Sequence, residues 1–452
     1  MIHAQAFDLF CEKSAVSVMA RALMEDAFSA PHLDEVFAEN AQQQEESDLP
    51  FSQLVDVMSL AVLQIRPSVN AAYTTKKEEI AVSIQAVYNK LSGIEPAVSR
   101  AMVRDSAARL NEVLGHIGRE RTTQAGYHTK IVDGKHLNRT ERRLKPLREL
   151  NRAPLPGIAL AVLDADRRLV CDVIPCEDGH AQERSLLGDV LDTVEKGDLW
   201  IADRNFCTVN FLKGIVDRGA HFVIRRHGQL PLEKFGRKRR VGKSATGTVY
   251  EQSACLPSDS GTMRVRLIIV KLKNATRDGD REIVLVSNLP KKVSARRIAT
   301  LYRGRWTIET AFHQVAMALH GEIDALAYPK AALFGFCIAL VAHNLLNVVK
   351  TAIAVAQEGD EDDLSTYYLA DEISCAYYGM MIVLPPEFWQ KRFRRLEPGD
   401  LADRLMELAQ NVRWERFQKS RRSPKKPPPD VGAKTNRTHV STKRVLDEAA
   451  KC

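Results

Sequence analysis

Along residues 1–125 the apolar positions recur at three- and four-residue intervals and nowhere alternate as a half-buried strand would. Between Lys76 and Leu91, the residues Ile80, Ile84, Val87 and Leu91 share one face, which predicts a helix over 76–91. Ser92-Gly93 breaks it, and Pro96 suits the first turn of a second helix with Val98, Met102, Leu110 and Leu114 facing inward. Ser99, Arg100 and Arg104 stay outside. Helix, short glycine turn and basic helix are compatible with a DNA-binding unit that reads a major groove, though an ordinary helical bundle fits the same pattern better.

From Gly126 the pattern changes to short β-branched runs. Thr129–Val132, Ile158–Leu163 and Leu169–Ile174 predict three successive strands, the last two joined through Asp164-Ala165-Asp166. A helix is expected near Glu183–Lys196, a buried strand at Leu199–Ala202 and a helix near Val209–Arg218. That order is an α/β layout around a central sheet. A second strand-rich block runs over 221–289, with alternating runs at Thr248–Ser253, Arg264–Lys271 and Ile283–Val286. Between strands, Lys234–Lys243 reads as a loop in which Arg237, Lys238, Arg239 and Arg240 could grip phosphate.

Helices resume at Ala295, and Ile308, Phe312, Val315 and Leu319 mark the buried face of one of them. The apolar run Ala331–Ala342 is too short to span a bilayer before His343 and Asn344, so a buried core helix over 331–355 is expected. Glu358, Asp360, Glu361, Asp362 and Asp363 read as a solvated acidic loop. From Ser420 the chain turns to Lys, Arg, Pro, Ser and Thr, the composition of a disordered basic arm.

This pattern divides the chain into a helical, DNA-binding unit (1–125), a core in two parts (126–220 and 295–356) around a β-rich insertion (221–294), a helical region offering a dimer contact (357–419) and the arm (420–452). Composition sharpens the reading only a little. A net charge of +8 suits a polyanionic partner without requiring one. The eight cysteines are scattered, with neither zinc spacing nor disulfide density. Asp8, Glu12 and Lys13 interrupt the first apolar stretch, so no secretory signal is expected and the cytoplasm is the predicted compartment, without membrane contact.

The chemistry lies in three segments. Asp133 closes one β-branched run and Asp203 another, while Glu309 falls on a helix beside Tyr302, Arg303, Arg305 and Trp306. Two strand-end aspartates and a helix glutamate are a ligand set for two hard divalent cations acting on phosphodiesters. Arginines and aromatics beside them offer phosphate donors and stacking faces for DNA. His180 and Glu183 read as part of a helix-cap region.

These segments resemble a DDE transposase of the bacterial insertion-sequence IS-four family, the class with Tn-five-like enzymes. Val132-Asp133-Gly134 and Ala202-Asp203-Arg204-Asn205-Phe206 carry two motifs of the resemblance, and Tyr302, Arg305 and Glu309 stand in register with the third. The resemblance implies a ribonuclease-H-like core with Asp133 and Asp203 side by side, and explains the long gap before Glu309 by a β-strand insertion. It implies Asp133, Asp203 and Glu309 as catalytic, metal-binding residues for two Mg²⁺ ions, with Mn²⁺ able to substitute. It also implies binding of double-stranded DNA at element ends and target, a homodimer in the DNA complex, a nucleoid-associated protein, and cut-and-paste transposition through hairpin ends. One position departs: Ala316 stands where the family has a DNA-holding lysine, and His313, Gln314 and His320 are neighbours able to replace it. A rival reading is a catalytically silent DNA-binding derivative, which the loss of any carboxylate would favour; all three are present.

Overall fold

The computed structural model describes residues 2–451 apart from 45–47, 119–120, 139, 142, 151, 259–260, 277–278 and 421–438. Among the described residues eleven strands are defined: β1 His128–Leu137, β2 Ala153–Leu155, β3 Gly157–Asp164, β4 Leu169–Cys176, β5 Asp198–Ala202 and β6 His221–Arg225, then β7 Glu233–Lys243, β8 Gly247–Ser258, β9 Gly261–Leu272, β10 Glu282–Ser287 and β11 His439–Ser441. Nine of them form one sheet in the order β4-β3-β1-β5-β6-β10-β9-β8-β7. β1, β5 and β6 run parallel, and every other pairing in that sheet is antiparallel. The β4-β3-β1-β5-β6 half is the ribonuclease-H-like layout expected from the sequence.

Alternation along the strands gives the sheet two apolar faces. Val132, Leu160, Trp200 and Phe222 point to one, under the Leu187–Leu191 and Val209–Asp217 helices. Ile131, Leu199, Ile201 and Val223 point to the other, in the core shared with the N-terminal helices. Through that second core runs the Pro329–Ala356 helix, opened by a proline in its first turn. It is long and apolar enough to cross a membrane by length and composition, yet 94% of its most apolar window is buried inside the protein.

Several expectations change. Only the second half of the helix predicted over 76–91 is helical: the preceding helix ends at Thr75, and the next, Ile84–Gly93, starts where the Ser83 side chain accepts from the Ala86 N–H. A local cap thus overrides a continuous apolar stripe. The Pro96–Ile117 helix packs on the Pro329–Ala356 helix, on β4 and on the Pro398–Gln410 helix. It is therefore a helix of the shared core. The strands after β6 extend the main sheet through β10, so the β-rich segment is built onto the core sheet and not beside it.

The predicted basic loop at 234–243 is the edge strand β7. Cations all along it keep an otherwise unpaired strand edge from recruiting another. At the far end of the chain, 421–438 lie outside the described residues, but 439–449 are not a disordered arm. β11 pairs in parallel with β2, and Arg444 on the Thr442–Ala449 helix donates to both carboxylate oxygens of Asp178. The acidic loop is likewise structured: Glu361 is 3% exposed and pairs with Arg121 at 2.9 Å, and Asp362 takes two hydrogen bonds from Arg168.

Candidate active site

β1 and β5 are parallel neighbours in a register that sets Val132 opposite Ala202. Asp203 follows β5 directly, whereas Asp133, expected at a strand end, lies in the middle of β1, one residue past its last pairing with β5; by strand alternation both carboxylates leave the same sheet face. A helix pair covers that face. Ala295–Arg303 is capped by the Ser294 side chain on the Arg297 N–H, and Trp306–Met317 begins after a break at Gly304-Arg305. Ile308, Phe312 and Val315 bury its inner side. Tyr302 therefore ends one helix, Arg305 sits in the break, and Glu309 lies in the first turn of the next.

The break brings the groups together. Arg305 is 7% exposed; one guanidinium nitrogen donates to Asp133 Oδ2 at 2.9 Å and another to Glu309 Oε1. The Tyr302 hydroxyl donates to Asp203 Oδ1 at 3.0 Å. Arg225, on β6, lies 4.0 Å from the same oxygen and pairs with Asp280. Burial pushes the Asp133 carboxyl up to about 6; Arg305 and the Gly134 N–H oppose that shift, and the charges of Glu183 and Glu309 add to it. Burial and the Asp203 charge push the Tyr302 phenol up.

Glu183 opens the short helix Glu183–Leu186, as expected of a helix-cap region, and its charge is also felt by Asp133. A Cβ on Gly134 would lie 2.1 Å from Glu183 Oε1, so any side chain there would displace the flexible end of Glu183. Glu183 Oε2 accepts from the Asn205 side chain at 3.0 Å, and Arg184 donates to the Asn205 carbonyl. The glycine directly after Asp133 was the available signal, since an invasive side chain needs a missing Cβ. His180 is exposed and makes no such contact.

Other candidates are scattered. Trp306 is 60% exposed, with the Arg305 guanidinium 5.2 Å from its ring centre. Arg303 is exposed on the preceding helix. Arg237, Lys238, Arg239 and Arg240 lie exposed along β7, whose Gly242 rests against the Arg296 side chain. Lys238 stacks 4.9 Å from the Tyr250 ring centre. Arg104 is exposed. Arg100 is not presented to a groove: its fork donates to both oxygens of Asp172 on β4, at 2.9 and 2.8 Å. A buried acid on the sheet claims it, which a helix-face reading could not foresee.

Residues 127–345 match the model of the Transposase DDE domain family. The matched stretch opens one residue before β1, ends within the Pro329–Ala356 helix and holds Asp133, Asp203 and Glu309. A Sinorhizobium fredii protein named "Putative transposase y4zB" is 29% identical over 158 residues, which is 34% of this chain and 43% of that protein. The chain thus matches less than half the length of that relative. For the DDE domain a divalent metal is implied.

Among the described residues no three His, Cys, Asp or Glu side chains are placed close enough together to hold a metal ion. The residues nonetheless fit a hard cation. Asp133 and Asp203 lie on neighbouring strands, Glu309 faces them from a helix, and the Arg305 guanidinium bridges Asp133 and Glu309, a set of oxygen donors of the kind a hard cation takes. The Arg305 Nε is buried without a partner. A fork that leaves one donor unsatisfied between two carboxylates is poised to exchange partners.

Proposed function

We propose that the chain is a transposase of the IS-four type, which cleaves the ends of a mobile DNA element and joins them to a target. The observation that carries this reading is that Asp133 and Asp203 lie on adjacent parallel strands and that Arg305 joins Asp133 to Glu309 on the covering helix, although 70 and 106 residues separate the three carboxylates in sequence. Two Mg²⁺ ions, or Mn²⁺ in their place, would be held by these carboxylates with Glu183 alongside, and would supply an activated oxygen nucleophile and a stabilised leaving oxygen. Tyr302 keeps Asp203 in one rotamer through its hydrogen bond. Arg305 holds Asp133 and Glu309 together by charge, and a strand phosphate is the natural alternative partner for its fork. Exposed Trp306 then offers a stacking face next to that phosphate.

The finer route follows the same residues. A 3′-hydroxyl freed on one strand attacks the opposite strand and leaves a hairpin, later reopened and joined to target DNA. All of these are in-line displacements at phosphorus by oxygen, which one centre can perform. Tyr302, Arg305 and Trp306 would hold the distorted strand, with two copies of the chain bridging the two element ends in the cytoplasm.

The test uses DNA fragments carrying the sequences that flank the coding region. Asp133→Ala, Asp203→Ala and Glu309→Ala are each expected to lower Mg²⁺-dependent nicking at least a hundredfold while gel-shift affinity for the fragment changes less than about threefold. Near wild-type nicking by any one variant removes that residue from the chemistry. A wild-type chain that binds the fragments but never nicks them supports the silent reading instead. Nicked product that becomes a double-strand break without a hairpin species contradicts the hairpin route alone.

A further inference from the structure

On the face of the Trp306–Met317 helix turned away from Glu309, a cavity of about 270 Å³ opens toward the Pro329–Ala356 helix. Thr307, Thr310 and Gln314 form its near wall, at helical spacing roughly opposite Glu309. Four cations line it, Arg168, Arg303, Lys350 and Lys419, against the single acid Asp362.

Lys350 is the informative one. It is 4% exposed, yet among the described residues its ammonium has no hydrogen-bond or ion-pair partner. The acids nearest it are occupied, Glu361 by Arg121 at 2.9 Å and Asp362 by two bonds from Arg168 at 2.6 and 3.0 Å. Lys419 donates to the Asp362 carbonyl. On the same helix as Lys350, His343 has Nδ1 buried without a partner while Nε2 meets the Asn347 amide at 2.9 Å. Burial and the charges of Lys419 and Arg168 push the Lys350 ammonium down to about 8, against Glu361 and Asp362. A buried cation without a partner, facing a cavity with further cations on its walls, is a place where an anion would gain both charge and hydrogen-bond partners.

Size and position narrow the anion. The cavity has room for a phosphate and part of its nucleotide, but a duplex about 20 Å across cannot enter it. Trp306 lines its mouth and also carries Arg305 over its ring, so one side chain joins the cavity to the catalytic carboxylates. A strand crossing Arg305 reaches the cavity within about two nucleotides, at several ångströms of backbone each.

We propose that this cavity binds a phosphodiester of a single-stranded DNA segment at the active centre, with Lys350 and Arg303 as phosphate donors and Trp306 as the stacking face. The proposal rests on the transposase reading and adds a strand-binding site to it.

Fluorescence anisotropy of the full chain in EDTA tests it, with a labelled single strand of about 20 nucleotides and the blunt duplex of the same sequence, each over a salt series. Lys350→Met and Arg303→Ala are each expected to weaken single-strand binding about fivefold near 0.1 M salt and to flatten the log–log salt slope by about 0.7, leaving the duplex within twofold. Lys77→Ala, an exposed lysine elsewhere, is expected to change neither. If Lys350→Met does not fold, Arg303→Ala and Lys419→Ala, both at exposed positions, carry the same test. Unchanged single-strand slopes in folded variants overturn the proposal, as does equal loss on strand and duplex. Competition by inorganic phosphate as strong as by the strand, at equal phosphate, would mark a free-anion site and overturn it too. A wild-type chain that binds neither probe defeats the transposase reading itself, whereas wild-type binding with unaffected variants defeats only the cavity.

Discussion

Asp133 is held where ionisation is costly, and its titration should be visible in stability. Its carboxyl sits at about 6 in the fold against 3.8 for an unperturbed aspartate, so between those values the native chain binds more protons than the unfolded one. Native stability from this group therefore falls as pH rises from 3.8 to about 6 and levels off above it. In EDTA, thermal melts from pH 4.5 to 7.5 should show that fall in the wild type and its loss in Asp133→Asn; identical pH profiles would contradict it. Lys350 has the opposite sign with the same outcome at neutral pH. Its pKa of about 8 lies below the usual 10.5, so the cost of its charge is full below pH 8 and is relieved as pH rises from 8 to 10.5. Lys350→Met should accordingly raise the melting temperature at pH 7, by an amount on the order of 3 kcal/mol in free energy, and the gain should disappear above pH 10.5. Gly134 differs from both. Gly134→Ala moves only the flexible end of Glu183, so stability should change by less than about 1 kcal/mol, while nicking should fall at least tenfold if Glu183 contributes to the centre. Denaturant melts and nicking rates on the same preparation separate the two effects.

At the scale of elements, the active centre depends on a break between two helices. Ser294 caps the first, Gly304-Arg305 ends it, and the turn presents Tyr302, Arg305 and Glu309 to two neighbouring strands. Ser294→Ala should cost about 1 kcal/mol in urea denaturation, as lost caps do. The strands were legible in the sequence from their short β-branched runs, and Asp203 does end one, but β1 runs on past Asp133 to Leu137 because its pairing with β3 continues there. The break was not read from the sequence although Gly304 marks it: Arg305 and Glu309 stand four residues apart, a spacing that reads equally well as one turn of a continuous helix. Glu183 was hidden for a related reason: its approach to Asp133 depends on Gly134, far away along the chain. Arg100 and β7 show the complementary error, in which cations clear in sequence have structural duties, pairing with Asp172 and guarding a sheet edge.

Across the whole molecule, periodicity located most elements but not their grouping. The N-terminal helices share one core with the Pro329–Ala356 helix, and the strands after β6 continue the main sheet. How the units pack on one another was not legible, because long-range burial leaves no mark in local pattern. That packing gives the three carboxylates rigid supports from distant parts of the chain, and their joint action on metal is the claim on which the functional reading depends. Iron-mediated backbone cleavage tests it most directly: Fe²⁺ replaces Mg²⁺, ascorbate and peroxide generate radicals at the bound ion, and the cut peptides are mapped. Cuts are expected at three places, next to Asp133, Asp203 and Glu309, suppressed by excess Mg²⁺ and lost together in Asp203→Asn. Cuts confined to other segments, or persisting unchanged in Asp203→Asn, would contradict a shared metal centre.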